Sequence, residues 1–293
     1  MHCRTSLILA ALAVLASAGP IQAQDPPLAD SGRLRGTAGI AAIEGAAGGG
    51  IVPWAGIAGY GTADAVGGTA HATAIRLSDF KLAAAGFNAG LYNRLELSYA
   101  RIALDTGRTG QGLGLGRGAT FGLDVYGAKL RLFGDVVYGP EWLPQVSAGL
   151  QYKVNDRAAV LSALGARSHQ GTDLYVSATK LLLDYSVLLN ATVRLTRANQ
   201  GGLLGFGGPG NDSYRPAFEG SIAWLPSRTV AVGAEVRTMP NALHATRSSP
   251  WADLFIAWFP TKTISATIAI LDFGTVATRK HQSGVQISAQ VGF

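Results

Sequence analysis

The feature that most constrains this chain is a two-residue alternation of apolar and polar side chains, repeated in strand-length stretches almost from end to end. Val187, Leu189, Ala191, Val193 and Leu195 interleave with Leu188, Asn190, Thr192, Arg194 and Thr196. Val230, Val232, Ala234 and Val236 interleave with Ala231, Gly233, Glu235 and Arg237. Val285, Ile287, Ala289, Val291 and Phe293 do the same against Gly284, Gln286, Ser288, Gln290 and Gly292. Successive side chains of a strand point to opposite faces, so each stretch is a strand with two unlike faces. Past the N-terminal segment no run of eighteen apolar residues occurs, which excludes a transmembrane helix there. Alternation alone does not separate a soluble sandwich from a membrane barrel.

Connector lengths bear on that choice. Fourteen strands are expected, near 33–43, 53–61, 69–77, 81–91, 94–105, 119–134, 141–153, 172–183, 186–198, 214–225, 228–238, 251–259, 263–273 and 284–293; twelve is the alternative count. Links after even-numbered strands are short, as at 92–93, 184–185, 226–227 and 260–262. Most links after odd-numbered strands are long, as at 106–118, 154–171, 199–213 and 239–250, with 78–80 the exception. Outer-membrane barrels pair short periplasmic turns with long external loops in this way. Aromatic residues collect at both sets of strand ends. Tyr60, Tyr92, Phe133, Trp142, Tyr185, Trp224, Trp258, Phe259 and Phe293 fall at the short-turn ends. Phe121, Tyr152, Tyr214, Trp251 and Phe273 fall at the other. Two such belts are what two bilayer interfaces select. The expected fold is all-β: a single antiparallel transmembrane barrel, with a periplasmic β-sandwich as the runner-up.

The N-terminal segment reads as processing rather than fold. Arg4 precedes an apolar run from Leu7 to Ala18, and Pro20 and small residues follow, which is the pattern of a secretory signal peptide. The expected division is a signal peptide over 1–23, a short periplasmic segment over 24–32, and the barrel over 33–293. Cleavage after Ala23 or Ala18 removes Cys3, the one cysteine, so the mature chain has no disulfide and no thiolate chemistry. Only 14% of residues are charged, against about a quarter in soluble domains. The formal charge of +6 falls by one with Arg4 and is spread along the chain, so no basic block suggests nucleic acid.

If the apolar faces meet lipid, the alternation turns Glu96, Lys129, Arg131, Lys153, Arg194, Glu219, Glu235 and Arg237 toward the lumen. An Arg or Lys on the lipid face at mid-depth costs roughly 2–4 kcal/mol. Five of these eight are basic. They either line a wet pore with a mild anion preference or pair across the lumen and seal it; the width of a fourteen-stranded barrel favours some open lumen. Two long loops are glycine-rich and apolar, 112–118 and 201–208. Leu113, Leu115, Arg117, Leu203, Leu204 and Phe206 in them either form a constriction or greasy entry site for a hydrophobic solute, or pack together as a lid. Val160, Leu161 and Leu164 carry helical spacing within 158–166.

Catalytic signals are weak. His71, His169, His244 and His281 are scattered; His169 with Asp173, or His244 with Asp253, are pairs that could be imagined at an outer rim. There is no Gly-x-Ser-x-Gly, no His-Glu-x-x-His and no phosphate-binding loop. No enzyme activity, metal or cofactor is expected.

The segments LGRG (115–118), WLPQVSAGLQYK (142–153), NDR (155–157), GTDLYVSATK (171–180), RANQGGLLGFGG (197–208), VAVGAE (230–235) and WFPTK (258–262) resemble an uncharacterised family of Gram-negative outer-membrane β-barrel proteins. The resemblance runs over about 33–293 and implies fold and location, with no catalytic residues to carry over. The expected partners are outer-membrane lipid, the barrel-insertion machinery through the strand ending at Phe293, and an unidentified small solute. Two functions stay open: a passive channel for small solutes, including hydrophobic ones, or a closed structural or surface-binding barrel. A rim hydrolase is third.

Overall fold

The computed structural model describes residues 33–37, 39–112 and 115–293. The expected signal peptide, the segment 24–32 and Leu113 lie outside them. Twelve antiparallel strands close into a barrel: β3 (Val66–Leu77), β4 (Lys81–Leu91), β5 (Leu95–Asp105), β6 (Thr120–Phe133), β7 (Gln145–Asn155), β8 (Gln170–Leu182), β9 (Val187–Thr196), β10 (Arg215–Ser227), β11 (Val230–Arg237), β12 (Trp251–Trp258), β13 (Ile264–Asp272) and β14 (Ser283–Gly292). Each pairs with its sequence neighbour, and β14 closes on β3 through nine consecutive residue pairs. Closure leaves no strand edge unpaired, which a lipid environment demands. Phe293 completes the seam, since its carbonyl accepts from the amides of Tyr60 and Gly68.

Twelve is the alternative strand count, and the difference has one source. The first two expected strands, 33–43 and 53–61, do not enter the wall. Residues 39–60 are buried throughout, and the only pairing within them that forms a sheet is a two-residue ladder between β1 (Ile40–Ala41) and β2 (Ala47–Gly48). They fill the lumen instead. The barrel wall therefore begins at Val66, not at residue 33. The alternation that marked the wall strands is blurred in this segment, where Gly45 to Gly50 and the flanking Ala residues leave side chains too small to cover a face.

The outer surface of the wall is apolar. Phe87, Leu97, Leu150, Val176, Phe218, Ile222, Leu254, Ile256, Ile268 and Ile287 stand out from the strands, and Phe87, Tyr99, Tyr126 and Tyr152 form a ladder across β4–β7 with ring centroids 5.2–6.4 Å apart. Tyr92, Phe133, Trp142, Tyr185, Trp224, Trp258 and Phe293 make the exposed belt at the short-turn end, while Tyr60 and Phe259 are buried. The opposite belt is thinner than the sequence suggested. Tyr152 and Tyr214 are exposed there, but Phe121, Trp251 and Phe273 point inward, and Trp251 stacks on Phe273 at 4.0 Å. A strand end puts an aromatic on either face, so position along the strand did not decide orientation.

The links alternate between the two ends: 92–94, 134–144, 183–186, 228–229 and 259–263 at one, 78–80, 106–119, 156–169, 197–214, 238–250 and 273–282 at the other, with 134–144 long for its end and 78–80 short for its own. Short helices α1 (Gly107–Gly112) and α2 (Ala158–Ala163) lie in two of the long loops.

Candidate functional site: a lumen closed by the N-terminal segment

The threaded segment brings backbone amides and carbonyls into a space without its own sheet partners, and a buried unpaired backbone group is costly. The wall supplies them. Glu96 accepts from the amides of Ala47 (3.1 Å) and Ala58 (2.8 Å), and Glu235 from Ile51 (2.8 Å). Lys129 donates to the carbonyls of Ala47 and Trp54, both at 3.1 Å. Ser147 and Gln145 donate to the carbonyl of Ala55, and Thr192 to that of Pro53. Thr179 and Gln290 accept from the amides of Ala55 and Ala41. Close approach also requires absent side chains. A Cβ on Gly49 would overlap the Glu235 carboxylate, and one on Gly90 would sit 2.2 Å from the carbonyl of Ala58.

The segment carries one charge into the barrel, Glu44. Its carboxylate meets Lys153 at 2.6 Å, Arg237 at 3.0 Å and Arg194 at 3.6 Å. Lys153 also pairs with Asp173 at 2.8 Å, while Glu219 bridges Arg194 (2.5 Å) and Arg237 (3.3 Å). Three acids and three bases thus form one network in which no member is more than 4% exposed on its side chain. Glu96 and Lys129 make a separate neutral pair at 3.0 Å. Low local dielectric strengthens each of these contacts and equally penalises loss of any one partner.

Of the lumen residues named from the sequence, Glu96, Lys129, Lys153, Arg194, Glu219, Glu235 and Arg237 lie deep inside. Arg131 has the same phase but sits at the short-turn end, half-buried, and pairs with Asp135 at 2.9 Å. Alternation within single strands did not flag Glu44, Asp173 or Asp253. Glu44 stood in a presumed link, and Asp173 and Asp253 near strand starts. With the last two counted, wall acids match wall bases in number, and the basic excess read from the sequence disappears.

The mouth at the long-loop end is covered by 197–214. Lys153 donates to the carbonyl of Gly201, and Asn155 to those of Gly202 and Leu203. Gln200, fully buried, ties this loop to the carbonyls of Arg247 and Thr275 and accepts from the amide of Ala277. Leu203 and Leu204 of this loop are buried in the same cluster as Leu123, Leu161, Ala166 and Leu243, and Phe206 is buried as well. Leu115 is partly buried against that cluster, whereas Arg117 is exposed and away from it. At the opposite mouth a cavity of about 220 Å³ opens between Arg33, Thr62, Asn93, Asp135, Tyr138 and Gln145.

The imagined rim pairs do not form. Asp173 is held by Lys153 and Arg194 and accepts from Thr196, leaving nothing for His169. Asp253 is buried in the lumen while His244 is exposed. Among the described residues no three His, Cys, Asp or Glu side chains cluster as a metal site.

Residues 37–290 match a family model described as "Protein of unknown function (DUF3034)". The chain belongs to this DUF3034 family. The match begins just ahead of the buried segment 39–60 and takes in all of it, so the DUF3034 match spans both segment and barrel. No curated protein matches the sequence. Among solved structures, the DUF3034 chain is similar to a KdgM porin, with 9% identity and a TM-score of 0.50 over 77% of this chain and 99% of that one. It is also similar to the COG4313 outer membrane channel from Pseudomonas putida F1 (10% identity, TM-score 0.44, covering 83% and 97%). A third is outer membrane phospholipase A from Escherichia coli (9%, 0.43, 77% and 92%). At such identities the likeness to the porin concerns the fold.

Proposed function

We propose that this DUF3034 protein is a passive outer-membrane channel for small solutes, held closed in the state described by its own N-terminal segment. The observation that carries the reading is how that segment is held. Apart from the packing of apolar side chains such as Ile40 and Trp54 in one cluster with Leu188 and Phe255, and one backbone bond from Tyr60 to Phe293, its contacts with the wall are hydrogen bonds and ion pairs to wall side chains, through Glu44 above all, rather than strand pairing with the wall. Contacts of this kind exchange with water or solute when the segment shifts, whereas the closed strand ladder of the wall stands without it. The polar inner face that remains, with balanced charge and many hydroxyls and amides, suits a wet path. The apolar exterior and aromatic belt support a place in the outer membrane of a Gram-negative bacterium, after export by the N-terminal leader.

One observation favours the alternative of a closed structural barrel: the cap formed by 197–214 is itself tied to both neighbouring loops through Gln200. Planar-bilayer recording distinguishes the two. The wild-type chain should conduct in rare openings, and Glu44→Gln should raise open probability at least tenfold. Two correctly folded, heat-modifiable and silent proteins would establish the closed barrel instead.

A further inference from the structure

The lumen charges do not all cancel. Six acids lie buried there, Glu44, Glu96, Asp173, Glu219, Glu235 and Asp253, and four bases, Lys129, Lys153, Arg194 and Arg237. The network around Glu44 and the Glu96–Lys129 pair use all four bases against four acids. Glu235 and Asp253 remain, and no basic side chain among the described residues lies within 4.0 Å of either. They are register partners on β11 and β12, 3% and 4% exposed. Glu235 accepts from the Ile51 amide and the Ser221 hydroxyl, but neither oxygen of Asp253 has a hydrogen-bond partner. Beside them Gln286 on β14 is 1% exposed, and its Oε1 also lacks a partner.

These three side chains converge on one spot. A methyl placed on Gly50 would lie 3.0 Å from the Gln286 amide nitrogen, 3.3 Å from Asp253 Oδ2 and 3.6 Å from Glu235 Oε2. Glycine keeps that spot open. Two adjacent buried carboxylates with no counter-charge are not stable as a charged pair in a low-dielectric interior. We propose that Asp253, Glu235 and the Gln286 amide oxygen bind one hard divalent cation of the calcium class at the face of Gly50. The donors are all oxygen, which selects a hard cation over zinc or copper. A 180° turn of the Gln286 amide presents Oε1 in place of nitrogen. The residual charge of two matches a divalent ion, and water fills the remaining coordination positions. Because Glu235 also holds Ile51, the ion fastens the threaded segment to β11–β14. The site follows from the charge count and the cradle and stands whether or not the barrel conducts.

The test uses the full-length chain folded in detergent, with calcium chloride as the probe in equilibrium dialysis and terbium luminescence, sensitised by nearby Trp54, as a second readout. One ion per barrel is expected. Asp253→Asn, and Gly50→Ala, which retains both carboxylates but fills the cradle, should each weaken binding at least tenfold, while His71→Leu should bind as wild type does. The proposal is overturned if the wild type binds no more calcium than Asp253→Asn. It is equally overturned if binding survives both Asp253→Asn and Gly50→Ala, or if an infrared carboxylic-acid band that disappears in Asp253→Asn shows a proton there with no ion bound.

Discussion

Two arcs of the lumen wall meet the same threaded segment in different ways. The arc from β5 to β11 is dense in charge, and its bases are all engaged: Lys129, Lys153, Arg194 and Arg237 reach an acid, a carbonyl of the segment, or both. The arc from β12 through β14 to β3 carries no lumen-facing lysine or arginine. It holds Asp253, Ser265, Gln286 and His71 with polar atoms that have no protein partner, whereas the charged arc leaves Gln151 Nε2. The first arc fixes the segment by specific, mutually dependent ion pairs. The second holds it through one side-chain hydrogen bond, from the Ala41 amide to Gln290, and otherwise faces it largely across polar groups that only water or an ion can satisfy. A segment clamped on one side and loosely faced on the other is one that can pivot.

The comparison makes graded claims. Arg194→Glu should have the largest effect, because it sets a new acid among Glu219, Asp173 and Glu44 in a buried space. A loss of about 3–5 kcal/mol or more is expected, read as failure to reach the heat-modifiable folded form. A folded variant with a merely altered reversal potential would mean that the charged arc is wet and not clamped. Glu44→Gln comes next. It leaves Lys153, Arg194 and Arg237 with their wall acids but one positive charge in excess, and should cost about 2–3 kcal/mol in urea unfolding of the folded barrel. An unchanged midpoint would dissolve the distinction between the arcs.

Asp135→Asn should act more weakly, and outside the lumen. Burial pushes this carboxyl's pKa up, but the amides of Tyr138 and Val137 and the Arg131 guanidinium outweigh it and hold it below the ordinary aspartate value. A depressed folded pKa gives stability that is fully present above the ordinary value and lost as pH falls through it toward the folded one. The site is half-exposed, so the neutral-pH loss should be about 1 kcal/mol or less. The variant should unfold with less dependence on pH below about 4. Protease sensitivity of the 134–144 link against pH measures this. His71→Leu should be the smallest. Both ring nitrogens are buried without a partner, so replacing the ring by an apolar side chain removes nothing that was satisfied. A change within about 1 kcal/mol is expected, and a large loss would place an unseen partner in the second arc.

Much of the wall was legible because its signal is local. The face of β9 or β14 is written in every second residue, and the β8–β9 and β10–β11 turns announce themselves by length. Membership of the DUF3034 family, matched over 37–290, accords with the resemblance drawn from segments such as 171–180 and 197–208. What failed was reading 33–61 by the same rule. Its Ala and Gly residues satisfy the alternation too weakly to say which surface they meet.

The sequence by itself determined that the strands have two unlike faces, and it turned most of the wall charges inward, Asp173 and Asp253 aside, because strand geometry makes orientation a matter of counting by two. Only the tertiary structure decided that the lumen is occupied and that Glu44 is its hub. It also decided that Asp253 and Glu235 are left facing one another without a base. Those facts depend on contacts between residues far apart in the chain, 193 positions between Glu44 and Arg237 and 249 between Ala41 and Gln290, and no local period encodes such a distance. Electrostatic pairing in a buried space is settled by which side chains arrive together, after the wall has closed around the segment that fills it.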